Sequence, residues 1–189
     1  MTFLKQIIRF LNDNFIRLMM RYCQKTWIEA IALNYPESLK GSHFRYLFLK
    51  SRVHSIGDEF HLGKGCIISG YSDIVLGENS GIGQGSHISL GPGDKKLKIG
   101  SNVWVGPECY FRNANHKYED LNKPIMDQGH DARDITIEDG VWIGARAVFL
   151  GGSHIGKNSI IAAGSVVSTK IPDNSVVAGN PARVVKRRS

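Results

Sequence analysis

A six-residue period governs this sequence from residue 56 onward. Ile137, Ile143, Phe149, Ile155, Ile161 and Val167 follow one another at steps of six, and every one is apolar. Four positions after the first five of them stand Val141, Ala147, Ser153, Ser159 and Ser165, all small or β-branched. The residue after the apolar position is often glycine, as at Gly144 and Gly156. Upstream the pattern returns in three blocks: Ile56, Leu62 and Ile68; Leu76, Ile82 and Ile88; Ile99 and Val105. Fourteen hexapeptides result, grouped three, three, two and six.

Six is neither the helical period of about 3.6 nor the strand period of 2, so no ordinary helix or strand satisfies it. A fixed hexapeptide period points to a solenoid, here a parallel β-helix. Each short strand turns its apolar residue inward, a corner follows, and three hexapeptides close one triangular coil. Residues 18 apart then stack on successive coils roughly 4.8 Å apart. The register predicts Ile155 on Ile137 and Ile161 on Ile143. Each buried Ile or Leu contributes roughly 1.5–3 kcal/mol. The small residue is expected inward near the corner, and the glycines at turn positions where φ is positive. Cys66 and Cys109 both fall on the small inward slot and read as packing groups. Together with Cys23 they make an odd count with no CxxC pair, which fits neither a disulfide framework nor a zinc ribbon.

Three units are expected along the chain: a helical cap over 1–52, the β-helix over 53–182, and a basic tail over 183–189. Within the cap, Leu4, Ile7, Ile8, Leu11, Phe15, Leu18, Met19 and Tyr22 give residues 1–33 an amphipathic helical pattern that Pro36 ends. A second short helix is predicted across 37–50. The cap would cover the open end of the solenoid; the alternative is a helix lying on a membrane surface. The net charge of +7 sits at the ends. Residues 1–52 hold nine Lys/Arg against three Asp/Glu, whereas 53–182 hold eleven against fourteen. No nucleic-acid motif accompanies the basic ends, so nucleic acid is not an expected partner. No apolar run reaches the ~18 residues of a membrane span. Lys5, Arg9 and Arg17 break up any signal-peptide core, so a cytoplasmic location is expected, with the inner membrane surface as the variant.

Two stretches break the period. Residues 91–98 form a short bulge with Gly91, Pro92 and Gly93. Residues 112–136 form a long polar excursion holding His116, Glu119, Asp120 and His130. A long loop held at both ends by a regular scaffold is where function is expected.

The hexapeptides, VWIG at 141–144, the excursion with a histidine near its start, and AGSVVSTKIPDNSVVAGNPARVVK at 163–186 together resemble the hexapeptide-repeat O-acetyltransferases. These include the galactoside and maltose acetyltransferases, and still closer those that acetylate bacterial surface polysaccharides. The resemblance spans roughly residues 53–188. It implies an all-β solenoid, a left-handed parallel β-helix, assembled as a homotrimer with active sites between subunits. It implies acetyl-CoA as cosubstrate, a sugar hydroxyl as acceptor, and no metal. His116 matches the family's catalytic base: a neutral imidazole takes the hydroxyl proton as the oxygen attacks the thioester directly. Glu119 or Asp120 could orient it. Ala145, Ala163, Ser168 and Thr169 fall on the family's cofactor contacts, the first two through backbone groups. Arg183 and Lys186 would meet the CoA phosphates. The chain departs from the family where Thr169 intervenes before Lys170, which leaves Lys170 to take the lysine's role. Trp142, like Trp104, would pack on the pantetheine or at a subunit interface. Gln84, Ser86, His87 and Asn115 are the acceptor candidates.

Three other functions share the fold. One is N-acetylation of an amino sugar. Another is a γ-type carbonic anhydrase, which needs three converging histidines; none of the seven form a close pair in sequence near the expected loop. The last is a scaffold without catalysis.

Overall fold

The structure, a computed structural model, describes residues 25–188. The whole apolar pattern over 1–22, and Cys23, lie outside the described residues. Within them the helical expectation divides into α1 (Lys25–Asn34) and α2 (Leu39–Lys50). Ser38 caps α2 by accepting the Gly41 N–H at 3.0 Å. Among the described residues no helix is long and apolar enough to cross a membrane.

The helices lie on the first coil. Ile28, Ala32 and Phe48 join the same core as Leu62 and Ile82. Arg45 of α2 is fully buried. Its guanidinium donates to the Leu62 carbonyl, to the Tyr35 carbonyl at 2.8 Å and to Glu37 at 2.9 Å. A buried guanidinium satisfied on three sides, one of them a carboxylate, ties cap to coil.

The chain then winds as a left-handed parallel β-helix of about six turns. The first face stacks six parallel strands, from Ser55–Ile56 to Lys170–Ile171. The second runs from His61–Leu62 to Ser175–Ala178, and the third from Ile67–Ser69 to Val166–Val167. Ile137 pairs with Ile155 and Ile143 with Ile161, the register expected from the period. The stepped Ile and Leu residues form one continuous interior, and Cys66 and Cys109 are buried within it as free thiols.

The glycines depart from expectation. Those directly after the inward residue do not carry the positive φ. They let successive coils approach: a Cβ on Gly144 would come within 2.5 Å of the Ala163 nitrogen, and one on Gly63 within 2.3 Å of the Gln84 nitrogen. The positive φ falls two positions later, at Gly65, Gly85 and Gly164, and equally at Asn79, Asn102, Asn158 and Asn174. Asparagine tolerates that conformation better than other side chains do.

Three inward steps lie beyond the apparent repeat. Phe111 is a third-face residue completing the third coil, stacked on Phe149 with ring centroids 5.1 Å apart. Ile171 and Val177 continue the core into a sixth coil, but Ile171 follows Val167 by four residues, not six. The basic tail is not a free end: Arg183–Arg187 pairs antiparallel with Ser175–Ala178 and covers the last strand of the second face.

Candidate active site

The excursion leaves the corner between the third and first faces. The strand Tyr110–Arg112 and the strand Ile135–Ile137 bound it, so it is shorter than the break in the period suggests. Its base is a two-stranded antiparallel ribbon, Ala114–His116 against His130–Ala132. His116 stands directly opposite His130, and their ring centroids are 4.4 Å apart. Lys117 N–H donates to the Gly129 carbonyl and Arg133 N–H to the Asn113 carbonyl. Alternation along the ribbon therefore makes the His116–His130 pair a non-hydrogen-bonded one, the kind in which opposed side chains come closest. Two histidines 14 positions apart in the chain are thus neighbours in space, which sequence spacing did not anticipate.

The root of the ribbon is fixed by two residues that the repeat did not mark. Asn113 is fully buried. Its amide donates to the Lys95 carbonyl at 3.0 Å and accepts the Gly91 N–H at 2.7 Å, fastening the 91–95 bulge to the excursion. Arg112 donates to the Ala114 carbonyl at 2.8 Å and to the Ser89 hydroxyl at 2.7 Å. Glu119 and Asp120 serve the loop itself: they accept the N–H groups of Tyr118 and Asn122, and Asp120 also pairs with Lys123 at 3.3 Å.

The cofactor candidates divide between two corners. Along the corner between the second and third faces, the backbone runs Gln84, Pro107, Ala145, Ala163 on successive coils, each packed under the glycine of the coil before. Ala162 N–H donates to the Val177 carbonyl, and Ala178 pairs with Arg183, so Arg183 continues this line. Lys186 pairs with Val176 on the second face. Ser168, Thr169 and Lys170 lie at the other corner, between the third and first faces, where the excursion also emerges. Lys170 pairs with His154 and lines a groove of about 400 Å³ with Arg133 and Lys95. Trp142 and Trp104 are register partners on the second face, 55% and 60% exposed.

The acceptor candidates do not converge. Gln84 and Trp104 line a pocket of about 260 Å³ on the second face. His87 is on the third face, its ring edge-on to Tyr110. Asn115 alternates with His116, so it belongs to the opposite face of the ribbon. Ser86 is fully buried in the small inward slot, where its hydroxyl accepts the Cys109 N–H at 3.2 Å. It is a packing residue, out of reach of any molecule outside the helix. Among the described residues no group of three or more His, Cys, Asp or Glu is arranged to hold a metal ion.

Residues 134–169 match the bacterial transferase hexapeptide family, six repeats. The chain is a hexapeptide-repeat protein. A putative acetyltransferase of Saccharomyces cerevisiae is 39% identical over 116 residues, covering 61% of this chain and 57% of that protein. The galactoside O-acetyltransferase of Lactococcus lactis is 40% identical over 96 residues, 50% of this chain and 44% of that one. The hexapeptide-repeat protein thus spans about half the length of these relatives. Among solved structures, a hexapeptide-repeat acetyltransferase of Vibrio cholerae complexed with acetyl coenzyme A superimposes with a TM-score of 0.74, at 25% identity, over 87% of both chains.

Proposed function

We propose that this protein transfers an acetyl group from acetyl-CoA to a sugar hydroxyl, with His116 as general base. The observation that carries the reading is His116 itself: an exposed imidazole on a two-stranded ribbon whose root is fixed by Asn113 and Arg112. The acetyl-CoA-bound structural neighbour and the galactoside O-acetyltransferase relative support donor and acceptor class. His116 takes the hydroxyl proton as the sugar oxygen bonds to the thioester carbonyl carbon. The tetrahedral intermediate then collapses, the C–S bond breaks, and the imidazolium returns the proton to the departing sulfur. The coils are packed on glycine at the Ala145–Ala163 corner, Gly106 against Ala145 and Gly144 against Ala163, which suits an extended cofactor. Ala145 and Ala163 would meet it through backbone groups, an N–H near Ala145 would stabilise the oxyanion, and Arg183 and Lys186 would hold phosphates. Ser168, Thr169 and Lys170 are the remaining contacts.

Within one chain, His116 and the Ala145–Ala163 corner lie on opposite edges of the third face. A homotrimer that brings the excursion of one protomer to the corner of the next completes the site, and the exposed Trp104–Trp142 ladder offers apolar surface for that contact. Of the acceptor candidates, Gln84 shares the cofactor corner, while His87 faces the space between the two corners. We place the protein in the cytoplasm, where acetyl-CoA is available.

The test is thiol release from acetyl-CoA with a panel of galactosides, polysaccharide-repeat sugars and amino sugars. Turnover with hydroxyl acceptors is expected, and His116→Ala should lower it by about 10²–10⁴-fold. Undiminished turnover in His116→Ala would overturn the role of the base, and acetylation of amines alone would overturn the acceptor class.

A further inference from the structure

The helix α1 is apolar on two sides. Ile28, Ala32 and Leu33 are buried in the core. Trp27, Ala30, Ile31, Asn34 and the following Tyr35 form the outer face, and none of them carries a charge. Trp27 is 67% exposed, Ile31 43% and Tyr35 40%, spaced so that they share one stripe. Glu29 is the only charge among the described side chains of α1, and it turns back to the solenoid, where it accepts the Tyr71 hydroxyl at 2.7 Å. A helix packed on a core ordinarily shows charge to water. Here the outward side is the uncharged one, and tryptophan and tyrosine are the side chains that favour a membrane–water boundary.

The chain that leads into α1 has the matching chemistry. Residues 1–25 hold Lys5, Arg9, Arg17, Arg21 and Lys25 against Asp13 alone. At about 100° per residue, the first four of these bases fall on the arc opposite Leu4, Ile7, Ile8, Leu11, Phe15, Leu18, Met19 and Tyr22. That division in the sequence, apolar against basic, suits an anionic lipid surface. Residues 25–52 offer these bases no free counter-charge. Their two acids are Glu29, held by Tyr71, and Glu37, held by Arg45 at 2.9 Å and by the Lys64 N–H at 3.3 Å. A second copy is the poorer occupant. A stable interface buries about 800 Å² on each partner. Three partly exposed side chains, the aromatic ones worth about 150–250 Å² each when complete, fall short of that.

We propose that the outer face of α1 and the basic segment before it seat the protein on the surface of an anionic lipid bilayer. Trp27, Ile31 and Tyr35 enter the headgroup boundary, and Lys5, Arg9, Arg17 and Arg21 meet the lipid phosphates. The contact lies on the bilayer and does not cross it.

The test is cosedimentation of the full-length protein with vesicles of phosphatidylglycerol and phosphatidylethanolamine, against vesicles of phosphatidylcholine alone. Binding to the first and not to the second is expected, and it should weaken as salt is raised. Trp27→Ser/Ile31→Ser should lower the partition by about 10-fold or more, and so should Lys5→Gln, Arg9→Gln, Arg17→Gln and Arg21→Gln combined. Lipids brominated along their acyl chains should quench part of the wild-type tryptophan emission. Trp27→Phe should still bind and should lose that quenching. Failure to bind anionic vesicles, equal binding by Trp27→Ser/Ile31→Ser, or quenching retained in Trp27→Phe would overturn the proposal. So would a Trp27 already shielded from acrylamide without lipid, which gives the face to residues 1–22. A smaller oligomer in Trp27→Ser/Ile31→Ser with vesicle binding unchanged gives it to a second copy and overturns the proposal too.

Discussion

Asn113 and Gly91 are bound to each other across a gap of 22 residues in the chain, the side-chain oxygen of the first accepting the backbone N–H of the second at 2.7 Å. The contact joins the two breaks in the repeat. Gly91 is suited to it because a Cβ there would come within 2.4 Å of the Ala114 Cβ. Asn113→Ala removes both the acceptor for Gly91 and the donor to the Lys95 carbonyl, leaving two backbone groups unpaired in a part-buried place. A loss of about 2 kcal/mol in stability is expected from chemical denaturation. The rate of acetyl transfer should fall with it, since the ribbon carrying His116 loses its anchor. Equal stability and equal rate in the variant would show that the anchor is dispensable.

The corner glycines separate two demands usually merged. Gly144 needs room and Gly164 needs positive φ: a Cβ on Gly144 meets the Ala163 nitrogen at 2.5 Å, while one on Gly164, at φ +71°, meets nothing within 4 Å. Gly144→Ala should therefore cost about 1–3 kcal/mol by forcing the coils apart. Gly164→Asn should cost less than about 1 kcal/mol, since asparagine already holds the equivalent corners at Asn158 and Asn174. Thermal denaturation of the two variants gives the order, and the reverse order would contradict the assignment of roles.

Buried serines at the small inward slot differ in what they bind. The Ser80 hydroxyl accepts the Val103 N–H and donates to the Gly100 carbonyl, both at 2.9 Å. The Ser165 hydroxyl is the buried side-chain oxygen without a partner among the described residues. Ser80→Ala should destabilise by about 1–3 kcal/mol by stranding a buried N–H, whereas Ser165→Ala should be neutral or stabilising. Denaturant midpoints at constant m-value distinguish the two.

Cys66 should resist thiol reagents in the folded protein. Burial pushes its thiol up to about 11 from an ordinary 9.0, and burial also raises Cys109. In a Cys23→Ser background, a disulfide reagent at pH 8 should label no cysteine natively and both after denaturation. The folded state holds these protons more tightly than the unfolded chain does. Their stabilising contribution is therefore complete below about pH 9 and is lost as pH rises toward about 11. Unfolding free energy measured across that window should decline more steeply for the wild type than for Cys66→Ala.

Much of the fold was legible because the solenoid core is built by local repetition. Ile137, Ile143, Ile155 and Ile161 carry the coil register in their spacing alone, since each strand satisfies the same inward demand as the one before. The legibility stops beside a break in the repeat or where the spacing changes without a change of role. Phe111 follows the period yet sits beside the excursion, and Ile171 arrives two residues early because that corner is shorter. The glycine of each hexapeptide stands out in the sequence, but its reason, the backbone of the next coil, is a contact between residues far apart in the chain, Gly144 with Ala163 or Gly106 with Ala145.

The site divides the same way. The amino-acid sequence by itself determined the β-helix and the place of the excursion with its two histidines, His116 and His130. Only the tertiary structure decided that His130 faces His116, that Asn113 ties the excursion to the bulge, that Ser86 points inward, and that the cofactor candidates occupy two corners. The physical reason is range. A six-residue period is written in neighbouring side chains, whereas a strand pair across a loop depends on where the ladder of backbone hydrogen bonds begins, and the Gly129 and Asn113 carbonyls set that register here.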